Sequence, residues 1–520
     1  MSSTTTRPRT PPATALDAFL GRFTMYRLVF LVLAVLAAYS LVLDVLGWLT
    51  FGIGNLAAHL ALCLGLTYAS NRAVAAVFRV RPHSESSLIT GLLLYFLFWP
   101  TELGPSFAPA DLAGVALACV LASASKYILA WRGRHVFNPA AAGAFIVGLT
   151  GLNIATWWAG TPAMLLLLIP GVLAVLYRTR KMLMASVFTV VATSIAAGTT
   201  LLEPGVDLAA AVWQPLAQSP VLFFAGFMLT EPLTLPPRRW QQLVLAAVVG
   251  ILFATPFNFG LVANSPELAL LAGNLLAFLA GQRGSVRLLF SHSRRLTPTA
   301  TEFVFRPRRP LRHEPGQYVE LDLPHEKSDG KGRRRVFSLT NSPDAEHVKI
   351  GVGTAGPVSA AKRQLLALKP GEELTATTVA GDFVLPKGSN EPVLLIAAGI
   401  GITPYLAHLS SGLADQRDTA LLYLARNAAE LAYADELENS GARIIARLAD
   451  GSTPPEFMED AGAHLEPGAR LDGHILKLLV PDIAGRRVFI SGSPGSVGSL
   501  KRAARQAGAR RIQVDSFAGY

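Results

Sequence analysis

The sequence predicts a polytopic α-helical membrane domain followed by a soluble α+β module, a β-barrel and then a doubly wound α/β domain. Three observations carry this. Up to about residue 282 the 520-residue chain is mostly Leu, Ala, Val, Phe and Gly, and beyond it charges of both signs appear at soluble density. In the first half Arg and Lys sit in small groups between apolar runs, as membrane topology requires. In the second half the apolar stretches are short, alternate with polar residues and end in Gly/Pro turns. The expected division is a tail over 1–25, a membrane domain over 26–282, a barrel over 290–386 and a nucleotide-binding domain over 387–520.

The tail, "MSSTTTRPRTPPATALDAFLGR", is polar and contains prolines. It has no small-residue cleavage site after a short apolar core, and reads as a disordered cytoplasmic tail rather than a signal peptide. Apolar runs follow near 26–48, 52–70, 86–100, 110–130, 137–151, 162–177, 182–202, 219–232, 241–258 and 266–282. Several fall short of the ~20 residues of a straight span, so broken or partial helices are expected among about ten spans. Arg and Lys occupy every second gap: Arg72, Arg79 and Arg81; Arg132 and Arg134; Arg178, Arg180 and Lys181; Arg238 and Arg239. The alternate gaps hold none, which places both termini and the soluble module in the cytoplasm of a multi-pass protein of the cell membrane. Ten spans can divide into two halves of five running in opposite directions, which an inverted repeat would relate. "SLITGLLLYFLFWPTELGP" and "VLFFAGFMLTEPLTLPP" share a mid-span Gly and a Pro-rich exit in corresponding places.

A net charge of +11 raises the question of nucleic acid, but the cations follow the apolar runs and no basic helix or aromatic-interleaved basic patch occurs, so no nucleic-acid partner is expected. Two cysteines, Cys63 and Cys119, exclude an all-Cys iron–sulfur cluster and any disulfide or zinc framework, leaving buried packing as their role. No metal site is expected. Haem-carrying helices need paired intramembrane histidines, and only His59 lies well inside a run, with His83 and His135 at basic ends.

The soluble half reads segment by segment. "HEPGQYVELDLP" (313–324) alternates after a Pro-Gly turn as a barrel strand does. "RRRVFSLTNSP" (333–343) places Arg335, Phe337 and Ser338 on a strand. "GVGTAGPVSAAKRQLLALKPGEEL" (351–374) runs from a Gly-rich turn into a helix, with Ser359 at the start, where backbone N–H groups and the dipole favour a phosphate. "EPVLLIAAGIGITPYLAHL" (391–409) is a buried strand, a Gly-x-Gly turn and a helix. Gly399 and Gly401 allow close approach to a pyrophosphate, and Thr403 and Pro404 begin the helix. "TALLYLARN", "RRVFISGSPGSV" and "RIQVDSFAGY" add the strands of a doubly wound sheet.

In this order the segments resemble the ferredoxin-reductase-type flavoprotein module over roughly residues 290–520: Arg-x-aromatic-Ser, Gly-x-x-Ser, Gly-x-Gly-x-Thr-Pro, Gly-x-Pro and an aromatic C-terminus. The resemblance implies an FAD-binding β-barrel and an NAD(P)-binding domain. It implies that Phe337 packs on the isoalloxazine ring with Ser338 near its reactive nitrogen. Arg335 and Ser359, with Gly356 and Val358 of the Gly-x-x-Ser motif, would hold the FAD phosphates. Gly399, Gly401, Thr403, Pro404, Gly492 and Pro494 would border the NADH or NADPH site, with Ser338, Thr403 and Ser491 nearest the chemistry. Two positions depart from the pattern: Phe337 stands where Tyr is frequent, and Ser491 where many members carry Cys. Phe517 or Tyr520 covers the second flavin face or packs in the core. Arg426 follows a strand where a 2′-phosphate would be met, or is an exposed loop Arg, so the nucleotide stays open.

In the first half, "GRHVFNPAAAG", "SLITGLLL" and "FMLTEPLTLPP" resemble the D subunit of the Rnf complex and the B subunit of the sodium-pumping NADH:quinone reductase, over roughly residues 25–282. That implies that Asn138 and Pro139 open a helix lining a flavin or redox pocket, and that Glu231 and Pro232 form a second break. The residues also fit an ordinary helix start, with Pro139 in a first turn and Asn138 an N-cap. Those families carry covalent FMN on a Thr in a Ser-Gly-Ala-Thr motif, which this chain lacks. Thr161 in "ATWWAGTPAML" stands nearest. The plainer reading there is a helix N-terminus with Trp157 and Trp158 in the interface belt.

The expected function is a membrane-bound flavoprotein oxidoreductase. It passes electrons from NAD(P)H through FAD to a second flavin (FMN), a quinone or an electron-carrier protein, within membrane lipid and with ion translocation as an optional coupling. The alternatives are a redox-driven or redox-sensing ion or solute transporter using acids such as Asp44 and Glu231, and a ferric-reductase-like transmembrane reductase, which the histidines disfavour.

Overall fold

A computed structural model of the 520-residue chain describes residues 25–517, apart from 81, 83, 105–108, 132–133, 261, 282–284, 325–332, 355–357, 387–389 and 465–470. The chain divides into two compact units, Met1–Gly284 and Ser285–Tyr520.

The first unit is helical: α1 Met25–Val45, α2 Ile53–Val77, α3 Ser84–Leu97, α4 Pro109–Ile128, α5 Pro139–Thr150, α6 Leu165–Thr179, α7 Met182–Thr200, α8 Leu208–Ala217, α9 Arg239–Ala254 and α10 Pro266–Leu279. After α8 the segment Val221–Met228 continues at a 51° bend. Five helices are long and apolar enough to cross a membrane, six if that bent pair counts as one. Ser84–Leu97, Pro139–Thr150, Arg239–Ala254 and Pro266–Leu279 are apolar but shorter. Length and composition alone therefore reach up to six crossings rather than ten. Proline contributes to the shortening: Pro139 and Pro266 open α5 and α10, and Pro100 lies just beyond α3.

One packing scheme occurs twice. In the first half α1 packs on α3, α3 on α2, α2 on α4 and α4 on α5. In the second, α6 packs on Val221–Met228, α8 on α7, α7 on α9 and α9 on α10, the same pairs five helices later. Each half also places a short antiparallel pairing before its last helix: β1 Ala130–Trp131 with β2 Arg134–His135, and Asn258 with Ala263. A capped, Pro-started helix follows each. Asn138 Oδ1 accepts from Ala141 N before α5, and Ser265 Oγ accepts from Leu268 N before α10.

The second unit holds two six-stranded sheets. The antiparallel one has the order β6-β5-β8-β3-β4-β7, built from β3 Val286–Thr297, β4 Ala300–Pro307, β5 Tyr318–Asp322, β6 Arg334–Ser338, β7 Val348–Gly353 and β8 Glu373–Ala380. A bridge between Leu339 and Ile350, with Thr340 N donating to Lys349 O at 3.0 Å, joins its two ends into a barrel. Burial alternates along β5 and β7, so every second side chain enters a core of Leu288, Phe303, Phe305, Leu321 and Ile350. The first barrel strand begins at Val286, four residues before the expected 290.

The other sheet is parallel, order β12-β11-β10-β9-β13-β14: β9 Val393–Ala398, β10 Thr419–Ala425, β11 Arg443–Leu448, β12 Glu459–Asp460, β13 Arg487–Gly492 and β14 Arg511–Ser516. Its central strands are buried on both faces, which is why "PVLLIAA" is continuously apolar. Helix α11 Ala360–Leu366 belongs to the barrel, while α12 Thr403–Leu409, α13 Ala434–Glu438, α14 Gly473–Leu479 and α15 Pro494–Gln506 accompany the parallel sheet.

His408 on α12 is fully enclosed, its Nε2 donating to Phe383 O at 3.3 Å, and burial lowers its pKa to about 4. The native state therefore refuses a proton that the unfolded chain accepts below the ordinary value near 6.5. Its contribution is complete above that value and is lost as the pH falls towards 4. Denaturant unfolding of the second unit should show about 2–3 kcal/mol less stability at pH 4.5 than at pH 7 from this group. His408→Gln should remove that share of the difference.

Candidate functional site

In the parallel sheet the chain leaves β9 towards β10 on one side and later returns to β13 on the other, which opens a crevice at the carboxyl ends of β9 and β13. Gly399 takes φ +55° there, and a one-turn segment, Gly399–Ile402, leads into α12. A Cβ on Gly401 would lie 2.7 Å from the Ser491 carbonyl carbon and 2.8 Å from Gly492 Cα, so only glycine fits against that main chain. Thr403 is buried and donates its hydroxyl to Ile400 O at 3.0 Å, and Pro404 follows in the first turn of the helix. Across the crevice Ser493 caps α15, accepting from Ser496 N at 3.2 Å, with Pro494 at the first helical position. Phe517 N donates to Gly492 O at 2.9 Å, which fixes the half-buried Phe517 at the same strand end. The structure thus brings together Gly399, Gly401, Thr403, Pro404, Ser491, Gly492, Pro494 and Phe517. Ser491 is fully buried and its Oγ has no hydrogen-bond partner among the described residues, an unspent polar group at the crevice.

On the barrel, β6 carries the second group, with Leu321 opposite Arg335, Val319 opposite Phe337 and Tyr318 opposite Ser338. Arg335 is only 2% exposed, so the surface-charge reading fails: this guanidinium is held inside, with Nη1 donating to Arg334 O at 2.9 Å. Phe337 is half-buried against the barrel core and Ser338 is buried. Ser359 caps α11, accepting from Lys362 N at 3.3 Å, and Val358 O accepts from Arg363 Nη1 at 2.7 Å. Gly356 and Tyr520 lie outside the described residues. The two groups approach each other along β7, where a Cβ on Gly353 would meet Ile400 Cγ2 at 3.6 Å. Arg426 is exposed after β10.

In the helical unit Asn138 does more than cap α5. Its Nδ2 donates to Glu231 Oε2 at 2.9 Å and its backbone N donates to Asn274 Oδ1 at 2.7 Å. Glu231 Oε1 lies 3.0 Å from His135 Nε2, and Arg134 Nε donates to Leu233 O at 2.6 Å. The two predicted breaks, Asn138-Pro139 and Glu231-Pro232, are therefore one joint. A cavity beside it is lined by Asn138, Glu231, Thr230 and Thr90 on a polar side and by Phe227 and Val29 on an apolar side. The turn of π-helix at Phe224–Met228 borders it, an irregularity that recurs at functional sites. Asn274 was missed in the sequence because an Asn inside an apolar run carries no motif.

Thr161 lies elsewhere, before a short turn over Pro162–Met164; its hydroxyl makes no capping bond and has no partner among the described residues. Trp157 and Trp158 correct an expectation: both are 3% exposed rather than in an interface belt. Trp157 Nε1 donates to Glu267 Oε2 at 3.0 Å, and Trp158 Nε1 to Tyr95 O at 2.8 Å. Buried acceptors satisfy both indoles, so neither needs the interface.

No family model matches the chain. It is similar to a flavohemoprotein of Pseudomonas putida, 30% identical over 194 residues, which are 37% of this chain and 47% of that protein. An NADPH oxidoreductase of Mycobacterium tuberculosis is 29% identical over 214 residues, 40% of this chain and 52% of that one. The chain spans about half the length of the curated relatives it matches. Among solved structures, the flavohem-like FAD/NAD-binding domain of nitric oxide dioxygenase from Vibrio cholerae O1 biovar El Tor is 21% identical with a TM-score of 0.38, covering 45% of this chain and 99% of that one.

Because the space beyond Gly401 is main chain, Gly401→Ala should force the β9 and β13 ends apart. We expect a loss of about 1–3 kcal/mol in the stability of the second unit, read by denaturant unfolding.

Proposed function

We propose that this protein is a membrane-bound NAD(P)H-dependent FAD oxidoreductase whose helical half holds the next electron acceptor. The observation that carries the reading is the crevice in which the Gly399–Gly401 turn, the Ser491–Pro494 turn and barrel strand β7 converge. The sequence similarity to flavohemoproteins and to an NADPH oxidoreductase supports it.

The barrel residues suit FAD. Phe337 leaves part of its ring uncovered for stacking, and the enclosed guanidinium of Arg335 supplies a positive charge for a phosphate. Bound FAD supplies the ability to take a hydride and release its electrons one or two at a time. The protein's part is placement. The glycine turn admits a pyrophosphate against backbone N–H groups. Thr403 and Ser491 at the crevice and Ser338 on the barrel would be the hydroxyl groups nearest bound nicotinamide and flavin. Phe517, fixed at the end of β14 by its N–H to Gly492 O, would offer a ring to the second flavin face.

In the helical half the cavity at Asn138 and Glu231 suits an amphipathic carrier, a noncovalent flavin such as FMN or a quinone, with the polar rim holding its hydrogen-bonding edge. Thr161, in a loop without the attachment motif, is not assigned a covalent flavin. We read the helical half as ten crossings with both termini cytoplasmic on the alternation of Arg and Lys between runs, and as two inverted sets of five on the repeated packing. A soluble electron-carrier protein is the other acceptor compatible with the reductase half. Ion translocation draws support from the Glu231–His135 pair inside the helical unit, and sodium dependence of NAD(P)H oxidation tests it.

The first experiment is a flavin inventory of the purified chain followed by anaerobic reduction with NADH and with NADPH. We expect one acid-released FAD per chain, reduced by at least one nucleotide; no FAD overturns the proposal. Asn138→Ala and Glu231→Gln should lower electron transfer to a membrane quinone by about tenfold or more, the size expected for losing a buried charge-assisted hydrogen bond. Reduction of ferricyanide by the same variants should be unchanged, and equal losses in both assays would place Asn138 and Glu231 outside the acceptor path.

A further inference from the structure

The barrel and the parallel sheet meet along a row of residues to which no role has yet been given. On the barrel, Arg294, Glu302 and Gly351 stand opposite one another across β3, β4 and β7. Glu302 is 3% exposed, and Arg294 Nε lies 3.4 Å from its carboxylate. Segment 430–436, before and within α13, comes down on this row in three places. Glu430 accepts from Thr299 Oγ1, Tyr433 lies against Gly351, and Glu436 accepts from Arg294 Nη2.

Tyr433 is the unusual member. Its backbone sits at φ +63° and ψ +34°, a left-handed conformation that a bulky residue rarely adopts. Neighbouring contacts hold it there: Ala432 N donates to Tyr423 Oη at 3.1 Å, and Leu437 N to Tyr433 O at 3.0 Å. Its ring is buried. A Cβ on Gly351 would lie 2.5 Å from Tyr433 Oη and 2.7 Å from Thr403 Cγ2, so the phenol tip and the Thr403 methyl close on the same point of β7. Thr403 in turn begins the helix that follows the Gly-x-Gly turn. An unbroken line of contact therefore runs from the barrel through Tyr433 to the nucleotide crevice.

We infer that Tyr433 is a positioning residue for hydride transfer: packed beside Thr403 against Gly351 of β7, it helps set the spacing between the nucleotide crevice and the flavin-binding barrel. The inference rests on the oxidoreductase reading above. Its physical basis is the steepness of transfer rates with distance, since a misplacement of about 1 Å can cost up to about a hundredfold. Gly351 is the matching half of the device, because any side chain there would drive Tyr433 and Thr403 off the strand.

The test uses the full chain with FAD bound. Tyr433→Leu and Gly351→Ala should lower the rate of flavin reduction at saturating nucleotide by about 10- to 100-fold. FAD content should be unchanged and the nucleotide KM should stay within about threefold. The isotope effect with nucleotide deuterated at the transferred position should rise as hydride transfer becomes the sole slow step. Tyr433→Phe keeps the ring and should stay within about threefold of the wild-type rate. Wild-type rates in both Tyr433→Leu and Gly351→Ala, a rise in KM alone, or losses that only follow lost FAD would overturn the inference. A wild-type flavin that neither nucleotide reduces would instead sink the oxidoreductase reading itself, and slow variants beside a fast wild type separate the two failures.

Discussion

The close approach of Gly401 to the Ser491–Gly492 main chain is the constraint on which the second unit turns. A parallel sheet with a switch in strand order opens a crevice at the ends of its central strands. Here two turns from distant parts of the sequence nest in it without side chains between them. That nesting leaves backbone N–H groups, a buried serine hydroxyl and two helix starts at one place, and it fixes where β14 and Phe517 end. The barrel follows from it, because β7 approaches the same turn at Ile400 and Thr403.

The helical half is organised by a different requirement, the cost of leaving polar groups unpaired among apolar neighbours. Asn138 answers it with every group it has. Its Oδ1 takes the α5 cap, its Nδ2 binds Glu231 and its backbone N–H binds Asn274. Glu231 is tied again by His135. One node thus joins the start of α5 and the middle of α10, the last helix of each half, to the break after Val221–Met228, and the adjoining cavity inherits a polar rim that no run of Leu and Ala supplies.

Much of this was legible in the sequence, and the reasons differ by element. The soluble strands were visible because their burial periods appear directly: alternation in "QYVELDLP" and continuous apolarity in "PVLLIAA". The glycine turn was visible because such turns permit few residue types, whereas Gly492 and Pro494 stood out only through the Gly-x-Pro motif of the resemblance. Arg335 was less so, since burial of a guanidinium depends on the strands that flank it. Trp157 and Trp158 were misplaced because interfacial preference is a property of unpaired indoles, and both find acceptors, one of them Glu267 from over a hundred residues away. Tyr433 left no trace: a left-handed phenol is legible only once Gly351 and Thr403 are seen against it. Short helices were legible as short apolar runs, and they are found at Ser84–Leu97, Pro139–Thr150, Arg239–Ala254 and Pro266–Leu279.

The duplicated packing sharpens what is particular about the Glu231 node. Thr101-Glu102 follows α3 as Thr230-Glu231 follows Val221–Met228, and each half has a hairpin and a capped, Pro-started helix. The surroundings differ. Glu102 is exposed, whereas Glu231 is clasped by His135 and Asn138. At the start of α10 the residue after the proline is Glu267, bound by buried Trp157, where α5 has alanine. Shared architecture accounts for the break itself in both halves. It does not account for a carboxylate held by an imidazole and an amide beside a cavity at one break, while Glu102 at the other is exposed. That difference is what distinguishes a site from a fold feature, and it is the reason we propose Asn138 and Glu231 as the place of the acceptor.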